Sequence, residues 1–396
     1  MTLSEELRWR GFINQTTLKD ISGLDGKPIT FYWGVDPSSD SMTVGNLAAA
    51  MMVRHFIDHG HKAVLLVGGA TGMIGDPDGK DEERQLKTLD EIAKNKAGIA
   101  AQYKRVFANQ DFTLVDNYDW FKDIGYLEFL RDTGKHFSMT QLLQRDFIQS
   151  RIGKGGKGIS YAEFSYSLIQ GYDFLHLHRK HGVTLQVCGA DQWGNSLSGV
   201  ELIRKLEGKE AHVYSCPLII NKATGKKFGK SENGAVWLDA NKTSVFDFYQ
   251  FWLNVDDEGA LDYLKIYTLL PKEEVLKVMD EFQKHPAGRL AQKTLAYEVT
   301  QLVHGKAEAD KAVEATEKLF SGEASAMTPT LELEPGDHDI LDIVVKAGLA
   351  GSNSEARRLF EQGGIRVNQQ KVTNPSISLK KNDLVQVGKR RFVKIV

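Results

Sequence analysis

The sequence contains little cysteine and almost no net charge, and each shortage excludes a class of protein. Only Cys188 and Cys216 occur among 396 residues, without C-x-x-C spacing. A disulfide framework or a cysteine-rich zinc site is therefore not expected, and a reducing compartment is favoured. The formal net charge of −2 gives no overall attraction to nucleic acid. Any RNA partner would have to be held by local basic patches.

Long apolar runs are also missing. No run reaches the roughly 18 residues that a membrane-spanning helix needs, and the opening segment MTLSEELRWRGF lacks the apolar core of a signal peptide. The sequence therefore predicts a cytoplasmic protein without a membrane partner. With 41% hydrophobic and 26% charged residues, the chain can bury large cores and is expected to fold as two or three domains.

Three apolar segments predict buried strands, at Pro28–Asp36, Lys62–Val67 and Val183–Cys188. A helix predicted from Val44 to His59 separates the first two, and the order strand, helix, strand indicates a parallel sheet. Glycines and polar residues follow each strand. Because open α/β sheets bind ligands outside the carboxyl ends of their strands, these endings are expected to converge on one crevice.

The predicted fold class is α/β, with a Rossmann-like parallel-sheet domain, then an α-helical domain and a small α+β module. The predicted boundaries are 1–240, 241–321 and 336–396, and residues 322–335 form an acidic linker with Pro and Gly. Basic residues are in excess over the last part of the module. They include Arg357, Arg358, Arg366, Lys389, Arg390 and Arg391. Such a cluster favours RNA binding, and an ordinary edge hairpin with solvated lysines is the alternative.

The segment KATGKKFGKSENG, from Lys222 to Gly234, combines glycines with several lysines. It is one residue too short for a P-loop, whose ring of backbone N–H groups closes around a phosphate, and turn residues follow it instead of a helix. A true P-loop is therefore not expected. The segment by itself leaves open a solvated basic loop or a different phosphate-binding device.

Several motifs resemble one enzyme family. The KFGKS sequence at residues 227–231 is similar to the KMSKS signature of class I aminoacyl-tRNA synthetases, and Pro37–Asn46 lies where that class carries its HIGH signature. Three more segments resemble bacterial tyrosyl-tRNA synthetases, in the same order and at similar separations: Gly68–Arg84, Tyr166–Asp173 and Gln186–Asn195. The resemblance covers essentially the whole chain, and the C-terminal module resembles the S4-type RNA-binding domain of that family.

The resemblance implies a tyrosine–tRNA ligase, which makes tyrosyl-adenylate and pyrophosphate from L-tyrosine and ATP and then transfers the tyrosyl group to the 3′ end of tRNA(Tyr). ATP with Mg²⁺ would be the substrate complex, with no tightly bound cofactor. The resemblance also implies a homodimer, with the segment Phe137–Ile152 in the interface. No metal-binding residues are predicted, because the histidines lack carboxylate or cysteine partners at ligand spacing.

Site residues follow from the same resemblance. The implied catalytic residues are Lys227, Lys230, Ser231, Thr43, Asn46, Lys80 and Arg84. The implied tyrosine-binding residues are Tyr32, Asp76, Tyr166, Gln170, Asp173 and Gln192. The implied ATP-binding residues are Gly34, Ser38, Gly45, Gly189, Asp191 and Lys230. The six arginines and lysines of the C-terminal module are the implied RNA-binding residues.

The residue types suit this chemistry. Activation displaces pyrophosphate in line at the α-phosphate, so it needs positioning and cations more than a proton-transfer group. Tyr32 and Asp173 would offer a donor and an acceptor to the substrate phenol and so reject phenylalanine, a discrimination of which tyrosyl-tRNA synthetases are a standard example. Tyr166, Gln170 and Asp173 fall on one face of a helix. A buried hydrogen-bond network would give the same spacing.

Two positions depart from the family pattern. His-x-Gly-His of the HIGH signature is replaced by Thr43-Val-Gly45-Asn46, in which a hydroxyl and an amide remain as donors. Trp33 replaces a smaller residue and could either stack on the ribose or pack in the core. The first change keeps open an alternative function, a synthetase-like RNA-binding protein that no longer charges tRNA. Tryptophan as the substrate is the other alternative, and Tyr32 with Asp173 argues against it.

Overall fold

The computed structural model describes residues 1–77, 86–222, 225, 227–231, 234–321, 327–334, 336–388 and 391–396, with the backbone alone for residues 146, 147, 230, 231, 320 and 321. The chain divides into two compact units. One unit comprises Met1–Thr243 and Phe251–Val303, and the other comprises Ser244–Gln250 and His304–Val396.

The first unit contains a six-stranded sheet. Its strands are β1 (Gln15–Thr16), β2 (Thr30–Val35), β3 (Lys62–Val67), β4 (Phe112–Asp116), β5 (Val183–Gly189) and β6 (His212–Cys216). The spatial order is β1-β6-β5-β2-β3-β4, and every neighbouring pair is parallel except the short edge pair β1 and β6. The chain runs outward from β2 through β3 to β4 on one side and from β5 to β6 on the other. This places a topological switch point between β2 and β5, where such sheets bind ligands.

Helices connect the strands. The helices up to residue 207 are α1 (Leu3–Arg10), α2 (Val44–Asp58), α3 (Gly69–Ile74), α4 (Leu89–Val106), α5 (Tyr118–Phe121), α6 (Tyr126–Asp132), α7 (Met139–Leu143), α8 (Asp146–Ile152), α9 (Tyr161–His181) and α10 (Trp193–Glu207). The parallel α/β fold class is thereby confirmed, and the predicted helix Val44–His59 corresponds to α2.

The core forms where apolar strands meet α9 and α10. Strand β3 (KAVLLV) is buried at every position except the first. Val64 and Leu66 of β3 pack with Tyr32 of β2 and with Phe174 and Leu177 of α9 in one cluster. Helix α9 begins at a capping box in which Ser160 and Glu163 bond to each other's backbone, and it ends at Gly182 with φ +67°. Both ends of the helix that carries three predicted site residues are therefore fixed locally.

The rest of the first unit is a short hairpin and several helices. The hairpin strands are β7 (Lys230–Ser231) and β8 (Gly234–Ala235). The following helices are α11 (Val245–Leu253), α12 (Ala260–Tyr267), α13 (Lys272–Lys284) and α14 (Leu290–His304), and α11 begins in the second unit. None of the helices in the described part of the chain is long and apolar enough to cross a membrane.

The second unit combines a helix with a small α+β module. Its elements are α15 (Lys306–Ser321), β9 (Thr330–Leu331), β10 (Gly336–Asp339), α16 (Ile340–Lys346), α17 (Asn353–Glu361), β11 (Ile365–Val367), β12 (Gln370–Lys371), β13 (Ser376–Leu379), β14 (Leu384–Val387) and β15 (Arg391–Ile395). Strands β12, β11, β14, β15 and β9 form one sheet in that order. Strand β9, which lies in the segment predicted as a linker, pairs with β15. Leu384 and Phe392 also pack against Ala315 and Leu319 of α15.

Candidate active site

A cavity of about 410 Å³ lies at the carboxyl ends of the central strands. Asp36 follows β2, and Thr71 and Asp76 follow β3. Asp191 and Gln192 follow β5, and all five residues line the cavity. Residues after β6 and the KFGKS segment complete its wall. The predicted convergence of the strand endings on one crevice is therefore confirmed.

Most predicted site residues line this cavity. They are Tyr32, Gly34, Ser38, Thr43, Gly45, Asn46, Asp76, Tyr166, Gln170, Asp173, Gly189, Asp191, Gln192 and Lys227. Lys80 and Arg84 lie outside the described residues. Only the backbone of Lys230 and Ser231 is described, as strand β7.

Tyr32 and Asp173 form the buried end of the cavity, and both are only 2% exposed. The Tyr32 ring packs edge-on against Phe174, with centroids 5.2 Å apart. Within the described residues its hydroxyl has no hydrogen-bond partner. Burial and the nearby charge of Asp173 raise the pKa of Tyr32, so the phenol keeps its proton and can donate. A buried hydroxyl without a partner is costly and is satisfied when a polar ligand group binds.

Two side chains hold the Asp173 carboxylate. Asn117 Nδ2 donates to Oδ2 at 3.0 Å, and Trp120 Nε1 donates to Oδ1 at 3.0 Å. Burial raises the pKa of Asp173 well above its usual value, and these two hydrogen bonds oppose that rise. Each oxygen keeps a lone pair for a further donor. Sequence reasoning missed Asn117 and Trp120, because they lie far from Asp173 in the chain and belong to no motif.

A second chain of hydrogen bonds continues from Asn117 to Tyr166. Asn117 Nδ2 also lies 3.1 Å from Thr71 Oγ1, and Thr71 donates to Asp36 Oδ1 at 2.6 Å. Tyr166 donates to Asp36 Oδ2 at 2.7 Å. The network joins the ends of β2, β3 and β4 to helix α9. It therefore holds Asp173 and Tyr166, two of the predicted tyrosine-binding residues, in place against the strand ends.

Polar groups for an ammonium ion lie beside this network. Gln192 Nε2 donates to Asp76 Oδ2 at 2.5 Å, and Asn195 Nδ2 lies 3.4 Å from Gln192 Oε1. The Oε1 atoms of Gln170 and Gln186 are buried, line the same cavity and have no partner within the described residues. A cluster of a carboxylate and amide oxygens can accept the three N–H groups of an ammonium.

The start of α2 also lines the cavity. Thr43 is the N-cap residue of α2, and its N–H and Oγ1 donate to Asn46 Oδ1 at 2.9 and 3.0 Å. Trp33 packs on Tyr103 and Phe107, with ring centroids 5.3 and 6.3 Å away. Its exposure is only 3%, so it belongs to the core while one edge lines the cavity.

The KFGKS segment lies against the start of α2. A Cβ on Gly229 would meet Val44 Cγ2 at 3.1 Å and Gly45 N at 3.2 Å, and its φ of +90° also favours glycine. Phe228 is stacked on Tyr263 with centroids 4.3 Å apart and also contacts Phe251, Trp252 and Tyr267. The two segments that resemble the class I signatures are therefore in direct contact, with Lys227 beside the cavity.

Comparison with known proteins agrees with this geometry. The family model for class I tRNA synthetases (W and Y) matches residues 24–321. The chain belongs to this family. An S4 domain model also matches residues 340–385. Members of this synthetase family use ATP as a substrate.

Relatives of this synthetase match along nearly their whole length. The tyrosine–tRNA ligase 2 of a Bacillus cereus strain is 44% identical over 394 residues, covering 94% of this chain and 93% of that protein. The tyrosine–tRNA ligase of Streptococcus mutans is 41% identical and covers 99% of both. A truncated mitochondrial tyrosyl-tRNA synthetase from Aspergillus nidulans has a TM-score of 0.73 at 31% identity, covering 81% of this chain and 94% of that chain.

The basic residues of the S4 module have different surroundings. Arg357, Arg358 and Arg366 are exposed. Arg391 is partly buried, and its Nη1 lies 3.5 Å from Glu355 Oε1. Lys389 and Arg390 lie outside the described residues. Within the described part of the synthetase, no three His, Cys, Asp or Glu side chains are grouped to hold a metal ion.

Proposed function

We propose that this synthetase is a tyrosine–tRNA ligase that forms tyrosyl-adenylate from tyrosine and ATP and then transfers the tyrosyl group to tRNA(Tyr). The observation that carries the proposal is the pair formed by Tyr32 and Asp173. Tyr32 offers a buried hydroxyl that has no partner in the described part of the chain, and Asp173 offers a buried carboxylate at the same end of the cavity. A substrate phenol satisfies both, since it accepts from Tyr32 and donates to Asp173.

The remaining groups orient the amino acid and the nucleotide. The ammonium group would lie near Asp76, Tyr166 and Gln170, and Gln192 would hold Asp76 in place. This directs the substrate carboxylate toward Gly34, Gly189 and the start of α2, where the α-phosphate would lie. Binding both reactants in this orientation supplies much of the rate.

The departing pyrophosphate would be stabilised by cations. Lys227 lines the cavity, and Lys230 follows three residues later in β7. Together with Lys80 and Arg84 they would balance the charge that develops as pyrophosphate leaves. ATP would enter as its Mg²⁺ complex, the metal being part of the substrate.

We also propose a homodimer that acts in the cytoplasm, where its tRNA substrate is found. Large apolar side chains are exposed on the helices near the predicted interface segment. They are Tyr126, Leu127, Met139, Ile152 and Tyr161. The hydroxyls of Tyr126 and Tyr161 lie 3.2 Å apart, which places α6 beside the start of α9. Such a patch is typical of a protein interface, and sedimentation velocity should give twice the mass of one chain.

Pyrophosphate exchange tests the proposed activity. The full chain should exchange pyrophosphate into ATP with tyrosine, and far more slowly with phenylalanine or tryptophan at equal concentrations. Exchange that depends on tryptophan instead would identify tryptophan, the other amino acid of this family, as the substrate of this chain. Binding of tRNA without any exchange would instead support the RNA-binding function.

A further inference from the structure

Thr43 and Asn46 form a closed pair at the start of α2. The Thr43 N–H lies 2.9 Å from Asn46 Oδ1, and the Thr43 hydroxyl donates to the same oxygen at 3.0 Å. Both residues line the cavity. The Asn46 side chain is therefore held at its oxygen end by two donors from one residue.

This pair determines which way the Asn46 amide faces. A backbone N–H can only donate, so the atom that faces it must be the amide oxygen and not the nitrogen. A flipped amide would place its NH₂ group against the Thr43 N–H. The Asn46 NH₂ group is thereby left as the end that can donate to a ligand in the cavity.

The hydrogen bond from Thr43 Oγ1 to Asn46 Oδ1 engages the only proton of the Thr43 hydroxyl. At neutral pH the phosphates of ATP accept hydrogen bonds and have almost no proton to donate. A hydroxyl that already donates to Asn46 has nothing to offer such an acceptor. The Thr43 backbone is fixed independently, because Thr43 bridges to Trp237 and Val44 N donates to Val236 O at 3.0 Å.

We propose that Thr43 is a positioning residue, which acts on ATP only through Asn46, while the Asn46 NH₂ group keeps the donor role that the resemblance to the HIGH signature implies. The inference rests on the proposed ligase function and deepens it. It also assigns Thr43 a different task from the one that the sequence implies, where its hydroxyl replaces an imidazole as a direct donor.

A double-mutant cycle tests the proposal, with pyrophosphate exchange as the assay. Asn46→Ala should slow exchange by about 10²-fold. Thr43→Val should slow it by roughly 3- to 10-fold, since one of two hydrogen bonds to Oδ1 is lost, and Thr43→Ser should restore the rate. In the Asn46→Ala background, Thr43→Val should have no further effect. Equal losses in both backgrounds would overturn the proposal and place Thr43 on the nucleotide itself.

Two further variants separate orientation from helix capping. Asn46→Asp can still accept from Thr43 but has no NH₂ group, so it should lose as much activity as Asn46→Ala. Thr2→Val removes the threonine of another capping box, in α1 and outside the cavity, and should leave the exchange rate unchanged. Tyrosine affinity should be unchanged throughout. Retained activity in Asn46→Asp would refute the donor assignment, whereas absence of exchange in the unmodified chain would refute the ligase function instead.

Discussion

At the scale of single residues, the cavity shows how stability is given up for selectivity. The Tyr32 hydroxyl is buried without a partner among the described residues, and Asp173 is a buried carboxylate. Both arrangements cost free energy in the empty protein. The cost is recovered only when a ligand brings a group that both accepts and donates, which phenylalanine lacks.

Removing the Tyr32 hydroxyl tests this account. Tyr32→Phe should reduce the preference for tyrosine over phenylalanine by about 1 to 3 kcal/mol, because one of the two penalties for an unpaired group disappears. The ratio of kcat/KM for the two amino acids in pyrophosphate exchange measures it. Tyr103→Phe is the matched control, since Tyr103 is also buried, donates to Leu66 O and does not itself line the cavity. An equal change in both variants would indicate a general effect on the core.

The protonation of Asp173 predicts a pH dependence. Burial raises its pKa above the usual 3.8, so the carboxylate gains its proton at a higher pH than an exposed aspartate would. A protonated Asp173 accepts poorly from the substrate phenol. Tyrosine affinity should therefore be full at high pH and fall as the pH drops through this raised pKa. Calorimetric titration with tyrosine over a descending pH series measures the effect, and Asp173→Asn should bind weakly with no such dependence.

Some site residues could be predicted from the sequence and others could not. Asp173, Gln170 and Tyr166 lie in one helix at recognisable spacing. Asn117 and Trp120 contact Asp173 across separations of 56 and 53 positions and come from the end of β4 and from α5. Only the folded sheet brings these segments together, so local patterns could not reveal their role.

At the scale of secondary-structure elements, the buried strands were predictable because their side chains are apolar without interruption. The predicted segments Lys62–Val67 and Val183–Cys188 correspond closely to β3 and β5. Strands β7 and β9 contain only two residues each, and β9 lies in an acidic segment with proline. Two residues are too few to show a periodic pattern, and β9 is defined only by its backbone pairing with the distant strand β15.

The KFGKS segment depends on an aromatic cluster for its position. Phe228 is 7% exposed and stacks on Tyr263, and its neighbour Lys227 lines the cavity. Phe228→Ala should slow adenylate formation by about 10- to 10²-fold, because small displacements of catalytic groups have large effects on rate. Tyrosine affinity should stay the same, since the amino-acid end of the cavity is formed by other elements. Single-turnover formation of tyrosyl-adenylate measures the rate.

Two variants calibrate the result for Phe228. Lys230→Ala should slow the same step by about 10²-fold or more through the loss of a cation. Phe282→Ala removes a buried ring from α13 and should lower stability without a comparable loss of rate. If Phe282→Ala is as slow as Phe228→Ala, the effect of Phe228 would be one of stability and not of loop position.

At the scale of the whole molecule, the S4 module cannot be removed without exposing apolar surface in its own unit. Leu384 and Phe392 pack against Phe246, Ala315 and Leu319, and β9 pairs with β15. A chain that ends before the module would expose the apolar side chains of α15 that Leu384 and Phe392 cover. Charge reversal in the intact chain is therefore the cleaner way to separate RNA binding from adenylate formation.

Arg357 and Arg366 are suited to that test because both are exposed and lie far along the chain from every cavity residue. Arg357→Glu with Arg366→Glu should weaken tRNA binding and reduce the slope of log affinity against log salt by about 2, one for each lost phosphate contact. Pyrophosphate exchange should continue at the full rate, while aminoacylation at low tRNA concentration should fall. Filter binding between 50 and 200 mM salt measures the slope, because phosphate contacts make affinity strongly dependent on salt over this range.

Lys62→Glu is the control for charge alone. Lys62 is exposed and lies at the amino end of β3, at the end of the sheet opposite the cavity. If the double reversal leaves both the affinity and the slope unchanged, these two arginines do not contact tRNA. If it instead abolishes exchange, adenylate formation is not separable from the S4 module.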